Sequence, residues 1–92
     1  MEHAEYAVRL SEVADGVGFT CRDVSEVRGK ARTREEALEM AAELLEELLY
    51  AYMSHLRVIP RPSGARQGEY VLELSDKIKT EVNQYRGRTG KT

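Results

Sequence analysis

The chain has 92 residues, of which 33% are charged, a formal net charge of −2 and a single cysteine, Cys21. This length fits one small domain, which leaves no room for a large enclosed active site. The near balance of charge argues against a generally basic nucleic-acid binder, and one cysteine excludes an internal disulfide, so a cytoplasmic protein is expected.

The first two predicted elements are the strands of a hairpin. Tyr6, Val8 and Leu10 alternate with small or polar residues, which is the pattern of a half-buried strand. Asp15-Gly16 tolerates the positive φ of a tight turn and leads into a second strand, Phe19–Arg22. Buried Phe19 and Cys21 are expected on one face of that strand, with the thiol unreactive.

A third short strand is predicted at about Glu26 to Arg32, followed by a long helix at about Arg34 to Leu56. Thr33 and Glu36 have the spacing of a capping box, which fixes the start of the helix. Apolar residues recur at intervals of three and four and predict the face that covers the sheet. They are Ala37, Leu38, Ala41, Leu45, Leu48, Leu49, Tyr52 and Leu56.

Two prolines in Ile59–Ser63 end the helix and favour an extended exit. The polar segment 64–68 is predicted to be a linker. After it, the alternation of apolar and other residues in Tyr70–Leu74 predicts another strand. Ser75 is then a candidate N-cap for a short helix that ends near Arg86, and the polar residues after it are expected to lack order. The apolar face of this helix carries Ile78, Val82 and Tyr85.

Three segments, in this order and at this spacing, resemble the HicB family, the antitoxins of HicA–HicB toxin–antitoxin modules. They are Asp15–Thr20, with its acidic-glycine turn and Gly-aromatic strand, Thr33–Ala37 at the helix start, and Ile59–Ser63 at the helix exit. The resemblance spans roughly Tyr6 to Ser63. The chain departs from the family pattern at Arg22–Glu26, where a Pro-containing connection is shortened, and at Ala31, where the family often has glycine.

The resemblance and the residue patterns together predict an α+β fold with element order β-β-β-α-β. A small antiparallel sheet is covered by one long helix, in a fold likened to a partial RNase H or a dsRBD, and a short C-terminal helix follows. The predicted domains are a HicB-like α/β domain at 1–63, a linker at 64–68, and the fourth strand, short helix and tail at 69–92. The last segment also resembles the start of a ribbon-helix-helix or helix-turn-helix DNA-binding region, which would be incomplete here.

Catalytic and metal-binding groups are not predicted. Asp15 lies in a turn, Asp23 lies in a loop, and the helix glutamates are expected to face solvent, so no set of carboxylates converges on a metal ion. His3 and His55 are far apart in the chain. We therefore predict no enzyme activity and no cofactor. A membrane span is excluded because glutamates interrupt the apolar stretches, and the acidic Met1–Glu5 does not read as a signal peptide.

The resemblance implies an antitoxin that binds and occludes a small HicA-like mRNA interferase toxin, with autoregulation of its operon, homodimer or higher oligomer formation, and operator DNA as a further partner. HicA toxins have basic RNA-binding surfaces, so acidic residues are the candidate toxin contacts. These are Glu36, Glu39, Glu43, Glu46, Asp23 and Glu26. The open edge of the sheet is a second candidate docking site. Candidate DNA contacts are Lys77, Lys79, Arg86, Arg88 and Lys91.

Two other functions remain open on the sequence. The segment from Tyr70 to Lys91 could form a dimeric DNA-binding ribbon, which would make the chain a transcriptional regulator. The chain could also be an orphan HicB-like interaction module that has no toxin.

Overall fold

A computed structural model describes residues 5–89, the last two by their backbone only. The elements in chain order are β1 (Ala7–Val13), β2 (Gly16–Cys21), β3 (Arg28–Ala31), α1 (Arg34–Ser54), β4 (Glu69–Val71) and α2 (Asp76–Thr89). The predicted α+β fold, with three strands, a long helix, a fourth strand and a short helix, is confirmed.

The four strands form one antiparallel sheet in the order β3-β2-β1-β4. The β1–β2 hairpin turns between Val13 and Gly16, and a Cβ at Gly16 would lie 2.3 Å from the carbonyl oxygen of Ala31. Only glycine fits this approach of β3 to the turn. β4 pairs with the other side of β1, with Ala7 opposite Val71, so the fourth strand completes the sheet as predicted.

The core lies between one face of the sheet and α1. Ala37, Ala41, Leu45 and Leu49, spaced four residues apart, are fully buried, as the helical periodicity predicted. The predicted stripe is wrong at Leu56, which is 79% exposed. The helix has already ended there: Leu56 has φ 53, and its N–H and that of Arg57 bond back to the carbonyls of Met53 and Tyr52. This is a Schellman motif, with leucine at a position that usually holds glycine.

α2 completes the core beside α1. Ile78 and Val82 are fully buried, and the Ser75 hydroxyl accepts a hydrogen bond from the Ile78 N–H at 3.3 Å, which confirms the predicted N-cap. The expectation that this helix ends near Arg86 is wrong, because α2 continues to Thr89. Residues 90–92 lie outside the described part of the chain. Within residues 5–89, neither helix has the length and apolar character needed to cross a bilayer.

Candidate functional site

An open cleft of about 710 Å³ lies between α1 and the segment that leaves β4. One wall comes from the first half of α1, and the other comes from residues 71–75. Its lining residues are Leu38, Glu39, Ala42, Glu43, Glu46, Val71, Leu72, Glu73, Leu74 and Ser75. We call this surface the acidic cleft.

The acidic cleft combines an apolar floor with carboxylates on its rim. Glu39, Glu43 and Glu73 are exposed, and no lysine or arginine lies among the lining residues. The carboxylate of Glu46 is turned toward the second wall, where it accepts a hydrogen bond from the Ser75 N–H at 2.9 Å. A surface of this kind attracts cationic groups and repels phosphates, so it suits a basic polypeptide better than a nucleic acid.

The structure brings together three of the six acidic candidates. Glu39, Glu43 and Glu46 line the acidic cleft, because residues three and four apart on a helix share a side. Glu36 instead bonds back across the start of α1: its carboxylate accepts a hydrogen bond from the Arg32 N–H at 3.0 Å, one residue before the N-cap Thr33. Whether any of the six contacts a toxin stays a prediction. Glu73 also lines the cleft but was not among the acidic candidates, although its place between Leu72 and Leu74 in an alternating segment predicts that it is exposed.

Asp23 and Glu26 have partners within the chain. Asp23 accepts hydrogen bonds from the backbone N–H of Ser63 at 3.0 Å and from the Ser63 hydroxyl at 2.8 Å. The Tyr52 hydroxyl lies 3.4 Å from a carboxylate oxygen of Glu26. The shortened connection after β2 is therefore tied to the helix exit and to α1, and Val24 within it is 1% exposed.

Arg22 and Glu69 form an ion pair at the sheet's outer face. The guanidinium of Arg22 lies 2.9 Å from Glu69 and also donates to the Ser63 hydroxyl at 2.6 Å and to the Gly64 carbonyl at 3.0 Å. Glu69 accepts a further hydrogen bond from the Arg66 N–H at 2.9 Å, and its side chain is 4% exposed. The hydrogen bond from Arg22, followed by that from Arg66, holds the pKa of Glu69 below its usual value.

We predict that this ion pair makes the chain sensitive to acid. Because the pKa of Glu69 is lower in the folded chain than in the unfolded chain, its contribution to stability is complete above the unfolded pKa, about 4.3. The contribution is lost as the pH falls through the lower folded value. The melting temperature of the parent chain should therefore fall more between neutral and acidic pH than that of Glu69→Gln, which has no carboxyl to protonate. Parallel melting curves of the two proteins across this range would contradict the assignment.

The basic candidates do not form a single patch among the residues described. Lys77 and Lys79 stand two positions apart on α2 and so face different sides of the helix. The guanidinium of Arg86 donates to the Tyr6 hydroxyl at 2.9 Å and to the Pro60 carbonyl at 3.2 Å. The side chain of Arg88 and the whole of Lys91 lie outside the described part of the structure. DNA contacts at these five positions stay a prediction.

The thiol of Cys21 is buried at the end of β2, as predicted, and burial raises its pKa. Less thiolate forms as a result, which disfavours a nucleophilic role. Among the described residues, no group of three or more histidines, cysteines, aspartates or glutamates is placed to hold a metal ion. His3, named above, lies outside these residues.

Comparison with known proteins agrees with the family resemblance. A family model described as the HicB_like antitoxin of bacterial toxin-antitoxin systems matches residues 5–80, which include every lining residue of the acidic cleft. A protein of Pseudomonas fluorescens (strain Pf0-1) described as Antitoxin HicB is 32% identical over 71 residues, which cover 76% of this chain and 49% of that protein. The chain thus spans about half the length of this curated relative. Since the family model matches well over half of the chain, the chain belongs to the HicB-like antitoxin family of bacterial toxin–antitoxin systems.

Proposed function

We propose that this chain is a non-enzymatic antitoxin that neutralises a small HicA-like mRNA interferase toxin by binding it at the acidic cleft. The observation that carries the proposal is the position of the cleft, which lies inside the segment that matches the antitoxin family and gathers exposed carboxylates over an apolar floor. Occlusion requires no chemistry from the antitoxin. It requires only a surface that competes with RNA for the same basic groups.

Charge supports the choice of this surface. A toxin that binds RNA presents lysine and arginine side chains to phosphates, and Glu39, Glu43 and Glu73 offer those side chains carboxylates instead. Complementary charge also steers association and raises the rate of encounter. The apolar floor, with Leu38 and Ala42 from α1, supplies the surface that a partner buries, and this burial is the larger source of affinity.

We predict that reversing two cleft charges weakens toxin binding strongly. Glu39→Lys with Glu43→Lys places two cations where the toxin's basic groups dock, and we expect its Kd to rise by about 100-fold, near 2.7 kcal/mol. The matched control is Glu12→Lys with Glu47→Lys, which changes the net charge equally at exposed positions outside the cleft lining. Calorimetry with the proposed HicA-like toxin should be run near 0.15 M salt, where distant charges are screened.

Three outcomes would overturn the proposal. The parent chain could fail to bind or neutralise the proposed HicA-like toxin when the two are co-expressed. Purified chain could cleave RNA by itself in magnesium. Both double variants could lose affinity equally, which would show that net charge matters and the acidic cleft does not.

The proposal also includes the finer properties that the family resemblance implies: a cytoplasmic location, homo-oligomer formation and repression of the operon. Light scattering of the purified chain measures its oligomeric state, and a gel shift with operator DNA tests whether the chain binds DNA. A regulator that acts mainly through DNA has less support, because Arg86 bonds inside the chain and the lysines of α2 face different sides.

A further inference from the structure

We infer that the part of the toxin that enters the acidic cleft is an extended strand with alternating basic and apolar residues, which pairs with the free edge of β4. This inference rests on the proposed function and adds the mode of binding. It follows from the backbone of β4, from the side chains of residues 71–74 and from the charge around them.

Backbone groups of β4 are available to a further strand. Within residues 5–89, β4 is the outermost strand in the order β3-β2-β1-β4. The Leu72 N–H bonds to the Tyr6 carbonyl at 2.8 Å, so Leu72 points its N–H toward β1. In an antiparallel pair this direction alternates along the strand, so the N–H and C=O of Val71 point away from β1. These outward groups are what an added strand pairs with.

The edge is longer than β4 itself. Leu72 and Leu74 are 3% and 5% exposed, whereas Val71 is 48% exposed and Glu73 is also exposed. The alternation shows that the chain stays extended past the end of β4, and the lining of the acidic cleft follows the same residues. Tyr70 is fixed to α1 by a hydrogen bond from Arg34, whose guanidinium lies 5.0 Å from the ring centroid. The edge is therefore held in place before a partner arrives.

A strand fits this surface better than a helix does. A helix satisfies its own backbone groups and would cover the outward N–H and C=O of Val71 without pairing them, and buried unpaired backbone groups cost free energy. A strand beside β4 pairs them. Its apolar side chains, on the helix side, meet Leu38 and Ala42. Its basic side chains alternate to the opposite face of the sheet, the side to which Glu73 points, because Glu73 is exposed between the buried Leu72 and Leu74.

The charge around the edge also selects against a second copy of this chain. Copies that paired edge to edge would bring Glu73 of one chain close to acidic groups of the other, and like charges on facing strands are destabilising. Natural proteins protect edge strands with such charges. A basic strand turns the same carboxylates into an attraction, so the edge discriminates in favour of a basic partner.

The test removes one outward N–H while leaving the rest of the strand in place. Val71→Pro deletes the donor, and proline is tolerated at an edge position whose N–H faces away from the sheet. Val71→Ala is the matched control, since it shortens the side chain and keeps the N–H. We expect Val71→Pro to raise the Kd for the proposed HicA-like toxin by about tenfold or more, and Val71→Ala to change it by less than about threefold.

Equal loss of affinity in the two variants would overturn the inference, because the side chain would then be the contact. Unchanged affinity in Val71→Pro would overturn the inference too. If the Glu39→Lys with Glu43→Lys variant still lost affinity in that case, binding at the acidic cleft would remain supported without strand pairing. Should Val71→Pro fail to fold, amide hydrogen exchange of the parent chain decides. Binding should slow exchange at the Val71 amide by about tenfold or more, and an unchanged rate would rule out strand pairing.

If the parent chain does not bind that protein, the proposed function fails, and the edge is tested with a synthetic probe. The probe is a seven-residue peptide of alternating lysine and valine, compared with the same peptide N-methylated at alternate residues to block pairing. Slower exchange at the Val71 amide with the first peptide alone would support the inference. No change with either peptide would overturn it.

Discussion

Leu45→Asp is expected to unfold the domain. Leu45 is fully buried at the middle of α1, between buried Ala41 and Leu49. The substitution removes a buried aliphatic side chain, at a cost of about 2–5 kcal/mol, and adds a carboxylate that has neither water nor a partner. A domain of this size has a free energy of unfolding of about 5–10 kcal/mol, so the two costs together exceed it. Circular dichroism should show loss of the helical signal at room temperature.

Two variants control for this result. Leu45→Met keeps the apolar volume and should cost less than about 1.5 kcal/mol. Leu48→Asp lies three residues further along the same helix. It should destabilise the domain less than Leu45→Asp, because Leu48 is only partly buried. Equal melting temperatures for Leu45→Asp and the parent chain would show that the assigned buried face of α1 is wrong.

The sequence predicted the helix start well and its end less well, for a physical reason. The start depends on a local contact, the hydrogen bond from the Glu36 N–H to the Thr33 hydroxyl at 3.1 Å, and its residue spacing is visible in the chain. The end depends on Leu56 adopting φ 53. Leucine rarely adopts that conformation, so the apolar side chain at this position predicted a continuation of the helix. A glycine at the same position would have marked the end of the helix.

The candidate site also contains residues that local sequence predicts and residues whose position depends on distant contacts. Glu39 and Glu43 were predicted from their acidic character on the solvent side of α1, as a complement to a basic partner, and both line the acidic cleft. Asp23 instead bonds to Ser63, forty residues further along the chain, and no local pattern reports such a pairing. The opposite wall of the cleft was also hidden, because it depends on how the chain leaves β4 to reach Ser75. Sequence patterns locate elements and faces, whereas contacts between distant segments require the fold.

Arg86 is the clearest case of a residue whose role the fold changes. On the sequence, Arg86 lies at the predicted end of the last helix, just after the apolar residue Tyr85, and is a candidate DNA contact. In the structure the Tyr6 hydroxyl, on a fully buried side chain, donates to the Pro60 carbonyl, and Arg86 donates to both oxygens. These bonds join the first strand region, the helix exit and α2.

We therefore predict that removal of residues 86–92 destabilises the domain by about 1–3 kcal/mol, whereas removal of residues 88–92 has little effect because it retains Arg86. Arg86→Met in the full chain isolates the guanidinium and should reproduce most of the loss, a fall in melting temperature of about 4–8 °C for each kcal/mol. Tyr6→Phe should cost less than Arg86→Met, because Arg86 can still donate to the Pro60 carbonyl. Urea unfolding measures all four proteins, and equal midpoints for the two truncations would show that Arg86 adds nothing to the fold.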